Sequence, residues 1–80
     1  MKHTSELIES YLKKEYNVTT EINLYYYELN GNVIKVRFNV KKEQEDLSEF
    51  EIKYNMLWKE YSEEINLLDY ITFVSQLKHI

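Results

Sequence analysis

Residues 18–41 read VTTEINLYYYELNGNVIKVRFNVK, and this stretch decides the fold. Val18, Thr20, Ile22, Leu24 and Tyr26 alternate with Thr19, Glu21, Asn23, Tyr25 and Tyr27. After Asn30-Gly31-Asn32, a second set of Ile34, Val36, Phe38 and Val40 alternates with Val33, Lys35, Arg37, Asn39 and Lys41. A period of two places each set on one face of a strand. Asn-Gly between two such runs marks an antiparallel β-hairpin, with strands over 18–29 and 33–41. A two-residue Asn-Gly turn would set Ile34, Val36, Phe38 and Val40 opposite Tyr27, Tyr25, Asn23 and Glu21, mixing apolar and polar side chains on one face. A three-residue loop, Asn30 to Asn32, instead pairs Ile22 with Val40, Leu24 with Phe38 and Tyr26 with Val36. On the other face it pairs Glu21 with Lys41 and Tyr25 with Arg37. The three-residue loop is the expectation.

On either side of the hairpin the period changes. Thr4-Ser5 before Glu6 and Glu9 is a helix start, and Leu7, Ile8, Tyr11, Leu12 and Tyr16 share one side. Asn17 suits the left-handed exit of a helix over 5–16. Downstream, Lys41 to Asp46 forms a polar connector, and Ser48 or Asp46 can cap a helix. Leu47, Phe50, Tyr54, Leu57, Trp58, Tyr61 and Ile65 then recur at 3–4 spacing, predicting a helix over 47–63 with Trp58 buried. A single helix over 47–79 would run about 50 Å, too long for a compact domain. The break is placed at Glu64–Asn66, with Asn66 capping a last helix over 67–78. One long helix used in a dimer is the alternative. The expected class is a small α+β domain of order α-β-β-α-α, with helices packed on one face of the hairpin because a lone hairpin is unstable in water.

Eighty residues make one domain with a marginal core. There is no cysteine, which disfavours a disulfide-stapled secreted scaffold. No apolar leader follows Met1 and no run is long enough to span a bilayer, so a cytoplasmic setting with no membrane partner is expected. The net charge of −4 is unevenly spread: residues 1–42 hold seven Lys/Arg against five Glu, residues 43–80 three Lys against nine Asp/Glu.

The residues speak against an enzyme. Nucleophilic catalysis needs a nucleophile beside a base, and the only histidines, His3 and His79, lie near the ends. No metal-ligand spacing occurs, and Glu43, Glu45 and Asp46 read as a solvated connector without an EF-hand pattern. Gly31 is the sole glycine, too few for a phosphate-cradling loop. No catalytic residue, metal or cofactor is expected.

Two surfaces remain. One is the far side of helix 47–63, where Ile52 and Met56 are rimmed by Glu49, Lys59, Glu60 and Glu63, an apolar centre with charged edges suited to a protein partner, a basic or nucleic-acid-binding one fitting its charge. The other is the hairpin's outer face, with Asn23, Tyr25 and Tyr27 beside Lys35, Arg37, Asn39 and Lys41. Stacking rings with interleaved cations suit single-stranded nucleic acid, and ordinary cross-strand pairing on a solvated face explains them more simply. In size, acidity and element order the chain resembles small phage and mobile-element proteins, including some anti-CRISPR inhibitors and DNA mimics. That likeness implies a protein-binding inhibitor acting through its acidic helical half. A single-strand binder and a structural homodimer are the alternatives.

Overall fold

A computed structural model describes residues 4–77. In chain order they form α1 (Thr4–Glu15), β1 (Ile22–Asn30), β2 (Val33–Lys41), a 3₁₀ turn (Gln44–Asp46), α2 (Glu49–Lys53), β3 (Trp58–Asn66) and α3 (Leu67–Leu77). The architecture is α+β, and the hairpin is present. His3 and His79 fall outside the described residues.

The three strands make an antiparallel sheet in the order β1-β2-β3. Ile34, Val36, Phe38 and Val40 on β2 face the helical layer. Opposite them stand Leu29, Tyr27, Leu24 and Ile22 on β1, and Ile65, Glu63, Tyr61 and Lys59 on β3. α1 lays Ile8, Tyr11 and Leu12 into this face, forming one buried cluster with Ile34, Val36, Phe38 and Ile65, and Leu67, Tyr70 and Phe73 of α3 close over it. Tyr11 meets Tyr70 and Phe73 edge-on at 6.0 and 5.5 Å, the arrangement that ring quadrupoles favour.

Local chemistry explains most boundaries. α1 ends in a Schellman motif: Asn17 takes φ 51°, and the Val18 N–H bonds the Lys13 carbonyl at 2.9 Å. Asn66 caps α3, its Oδ1 accepting from the Asp69 N–H at 3.2 Å.

The hairpin corrects the expected loop. Asn30 pairs directly with Val33, leaving a two-residue turn of Gly31 and Asn32. Gly31 has φ 63° while Asn32 keeps a negative φ, the signs of a type II′ turn with glycine first. The alternation survives because the strand slips: Leu24 faces Phe38, but Tyr26 faces Arg37, so Tyr25 is a bulge residue. Ile22–Val40 and Leu24–Phe38 stand as expected. Nearer the turn, Tyr26 pairs with Arg37 rather than Val36, and Tyr27 moves to the helix-covered face opposite Val36.

The larger correction concerns residues 47–63. The helix there stops at Lys53, and residues 58–66 are a third strand. A capping box between Ser48 and Glu51 starts α2. Asn55, at φ 60°, ends it in a second Schellman motif, with the Met56 N–H on the Glu51 carbonyl at 2.8 Å. Tyr61 then stacks on Phe38 at 5.1 Å, whereas Trp58 is 39% exposed rather than buried.

Candidate functional site

The open side of the sheet carries Asn23, Tyr25, Tyr26 and Glu28 from β1, Lys35, Arg37, Asn39 and Lys41 from β2, and Trp58, Glu60, Ser62 and Glu64 from β3. The register brings each cation of β2 between residues of both neighbours. Lys35 lies between Glu28 and Glu64, and Arg37 between Tyr26 and Ser62. The Arg37 guanidinium sits 5.5 Å from the Tyr26 ring, and Lys41 reaches the Glu21 carboxylate at 3.8 Å. The Tyr25 hydroxyl donates across β2 to the Glu60 carboxylate, which also accepts from the Asn39 amide at 3.4 Å. Tyr26 donates to Glu28. These hydrogen bonds hold both phenols above the ordinary tyrosine pKa, because only the protonated phenol can donate to the carboxylate. Partial desolvation and the carboxylate's charge add to the effect. An open groove of about 580 Å³ runs over this face, lined by Tyr26, Glu28, Lys35, Arg37, Ser62 and Glu64 among others. Of its two cations, Arg37 lies over the Tyr26 ring, and Lys35 is flanked in register by Glu28 and Glu64.

Of the residues assigned to this face from the sequence, Asn23, Tyr25, Lys35, Arg37, Asn39 and Lys41 come together and Tyr27 does not. Tyr26 takes its place, a consequence of the bulge. Glu60, expected on the helical surface, joins this face through β3.

The six residues expected on one helical face are divided by the chain's turn into β3. Glu49 and Ile52 are on α2, and Met56 is in the connection after it. Lys59 and Glu63 point to the helix-covered side of β3, and Glu60 points to the open side. α3 does not fold back over Ile52 and Met56, which stay 52% and 48% exposed; it packs on α1 and the sheet instead.

α2 itself buries no residue. Phe50, Ile52, Tyr54, Met56 and Trp58 are all exposed large apolar side chains within nine residues of chain. The Phe50 and Tyr54 rings touch at 4.6 Å. This knuckle is held in shape by its two caps and by the Lys42 ammonium on the Glu51 carboxylate at 2.6 Å. The Lys42 hydrogen bond, with those from Ser48, depresses the Glu51 pKa. Phe50, Tyr54 and Trp58 were missed as surface residues because they fit a helical core stripe. Asn55, a residue tolerant of left-handed backbone, was the signal that the stripe is interrupted.

Among the described residues no group of three His, Cys, Asp or Glu is placed to hold a metal ion, and no helix is long and apolar enough to cross a membrane. Comparison with protein-family models, curated proteins and solved structures returned no match.

Proposed function

We propose that this chain is a small, non-enzymatic protein-binding module of the cytoplasm whose contact surface is the α2 knuckle. The observation that carries the reading is a rigidly capped five-residue helix that gives nothing to the core and displays Phe50, Ile52 and Tyr54 outward, with Met56 and Trp58 following. Exposed apolar clusters rimmed by charge are what interfaces use for affinity. Glu45, Asp46 and Glu49 supply a negative rim, which favours a partner with a basic surface. An inhibitor of the phage or mobile-element kind is the specific form of this proposal. Its support is small size and acidity, since the third strand removes the α-β-β-α-α order that also suggested it.

A single-strand nucleic-acid binder using the open sheet face is the weaker reading. Phosphate binding draws on free cations, whereas Arg37 lies over a ring, Lys41 reaches Glu21, and the two carboxylates flanking Lys35 in register would oppose a phosphate there.

The test compares two sets of variants against proteins captured by the wild-type chain. Ile52→Ser with Met56→Ser should abolish capture, and Glu49→Lys should reduce it most at low salt. Tyr25→Ala, Tyr26→Ala and Arg37→Ala should leave it intact. Loss of capture by the sheet variants alone, or salt-dependent binding of oligonucleotides, transfers the function to the sheet.

A further inference from the structure

The two edges of the sheet are unlike. On β1 the strand is broken by the bulge at Tyr25, and the outward Leu24 N–H is taken by the Glu9 carboxylate of α1 at 3.2 Å. β3 is nine residues long and pairs with β2 without a register shift. The Lys42 N–H bonds the Leu57 carbonyl directly opposite. Hydrogen-bonded pairs alternate along an antiparallel ladder, so Lys59, Tyr61, Glu63 and Ile65 bond to β2. Trp58, Glu60, Ser62 and Glu64 turn their N–H and C=O groups outward. A long, regular edge with unpaired backbone groups is a template for another strand.

We propose that the strand it accepts is β3 of a second copy of this chain, antiparallel and centred on Tyr61. A two-fold axis at that point sets Lys59 opposite the partner's Glu63, and Glu63 opposite the partner's Lys59. These are non-hydrogen-bonded positions, where side chains approach most closely. The outward groups match too: Trp58 pairs with the partner's Glu64 and Glu60 with the partner's Ser62, so every outward residue of β3 finds a hydrogen-bonding counterpart. Neighbouring symmetric registers fail on charge. Centring on Glu60 stacks that residue on its own copy, and centring on Ser62 sets Glu60 against the partner's Glu64 twice. The favoured register joins two three-stranded sheets into one of six, with all helices on one side. It is an isologous contact that closes and leaves β3 no free edge.

Sedimentation equilibrium on the full chain tests this. The wild type should reach twice its 9.8 kDa mass. Lys59→Glu and Glu63→Lys each place like charges together at both ends of the interface and should weaken association about tenfold to a hundredfold. Mixing the two variants restores both opposite-charge pairs in a heterodimer, so the mixture should associate as the wild type does. This arm also separates a lost contact from a misfolded variant. The proposal is overturned if the wild type is still monomeric at about 1 mM. It is overturned equally if either single variant dimerises as tightly as the wild type, or if the mixture stays monomeric.

Discussion

Phe38→Ala should bring this domain to the edge of unfolding, and Trp58→Ala should not. Phe38 has 0% exposure. Its ring lies flat on Tyr61, 7° from parallel at 5.1 Å, with Tyr16 at 5.7 Å on another side. Removing a ring so enclosed loses its transfer energy and leaves a cavity, a cost of about 3–5 kcal/mol. A chain of this length has a total stability of about 4–12 kcal/mol by the usual per-residue range. Trp58 borders solvent on the open sheet face, so its truncation opens no enclosed cavity and costs about 1–2 kcal/mol. Urea unfolding followed by far-ultraviolet circular dichroism reads both variants, including the one without tryptophan. With a slope of about 1 kcal/mol per molar urea, Phe38→Ala should lower the midpoint by about 3 M or leave no folded baseline. Trp58→Ala should lower it by about 1–2 M. A larger loss for Trp58→Ala than for Phe38→Ala would refute the assignment of the core to the Phe38 cluster.

Asn55→Val should cost about 1–2 kcal/mol, because a β-branched residue resists the left-handed backbone, while Asn55→Gly should stay within about 0.5 kcal/mol of wild type. Faster amide exchange at Met56 in the valine variant alone checks that the effect is local to the α2 exit. Glu51 contributes stability as a carboxylate whose folded pKa lies below its unfolded value near 4.5. That contribution is complete above the unfolded value and is lost as pH falls through the folded one. The stability gap between wild type and Glu51→Gln, measured by urea midpoints at pH 7 and pH 3, should therefore narrow on acidification, and a gap that widens would contradict the assigned ion pair.

The elements with strong local chemistry were legible in the sequence. Asn17 and Asn66 terminate and start helices as their backbone preferences and side chains require. Ile22–Val40 and Leu24–Phe38 pair as their alternation demands. The bulge was not legible, because Tyr25, Tyr26 and Tyr27 offer no polar contrast. A one-residue slip within three identical side chains leaves every local preference unchanged, so tertiary packing decides where it falls. The same slip exchanged Tyr27 for Tyr26 on the open face.

β3 was hidden for a different reason. Trp58, Tyr61 and Ile65 satisfy helical spacing, and the lysine and glutamates among them favour helix. The period of two is present in Lys59, Tyr61, Glu63 and Ile65, but half of that set is charged and so carries no apolar signal. Charges directed to the covered side are a known property of edge strands, where long side chains reach solvent past the sheet rim and discourage indiscriminate pairing. Lys59, whose ammonium lies 5.3 Å over the Tyr61 ring, and Glu63 therefore guard the edge against most strands while leaving it open to one. They repel a strand bearing like charge at the opposing positions, and they match a strand that presents the complementary order. β3 run antiparallel to itself about Tyr61 has that order, so the charge pattern that disguised the strand also narrows the choice of strand that can join it.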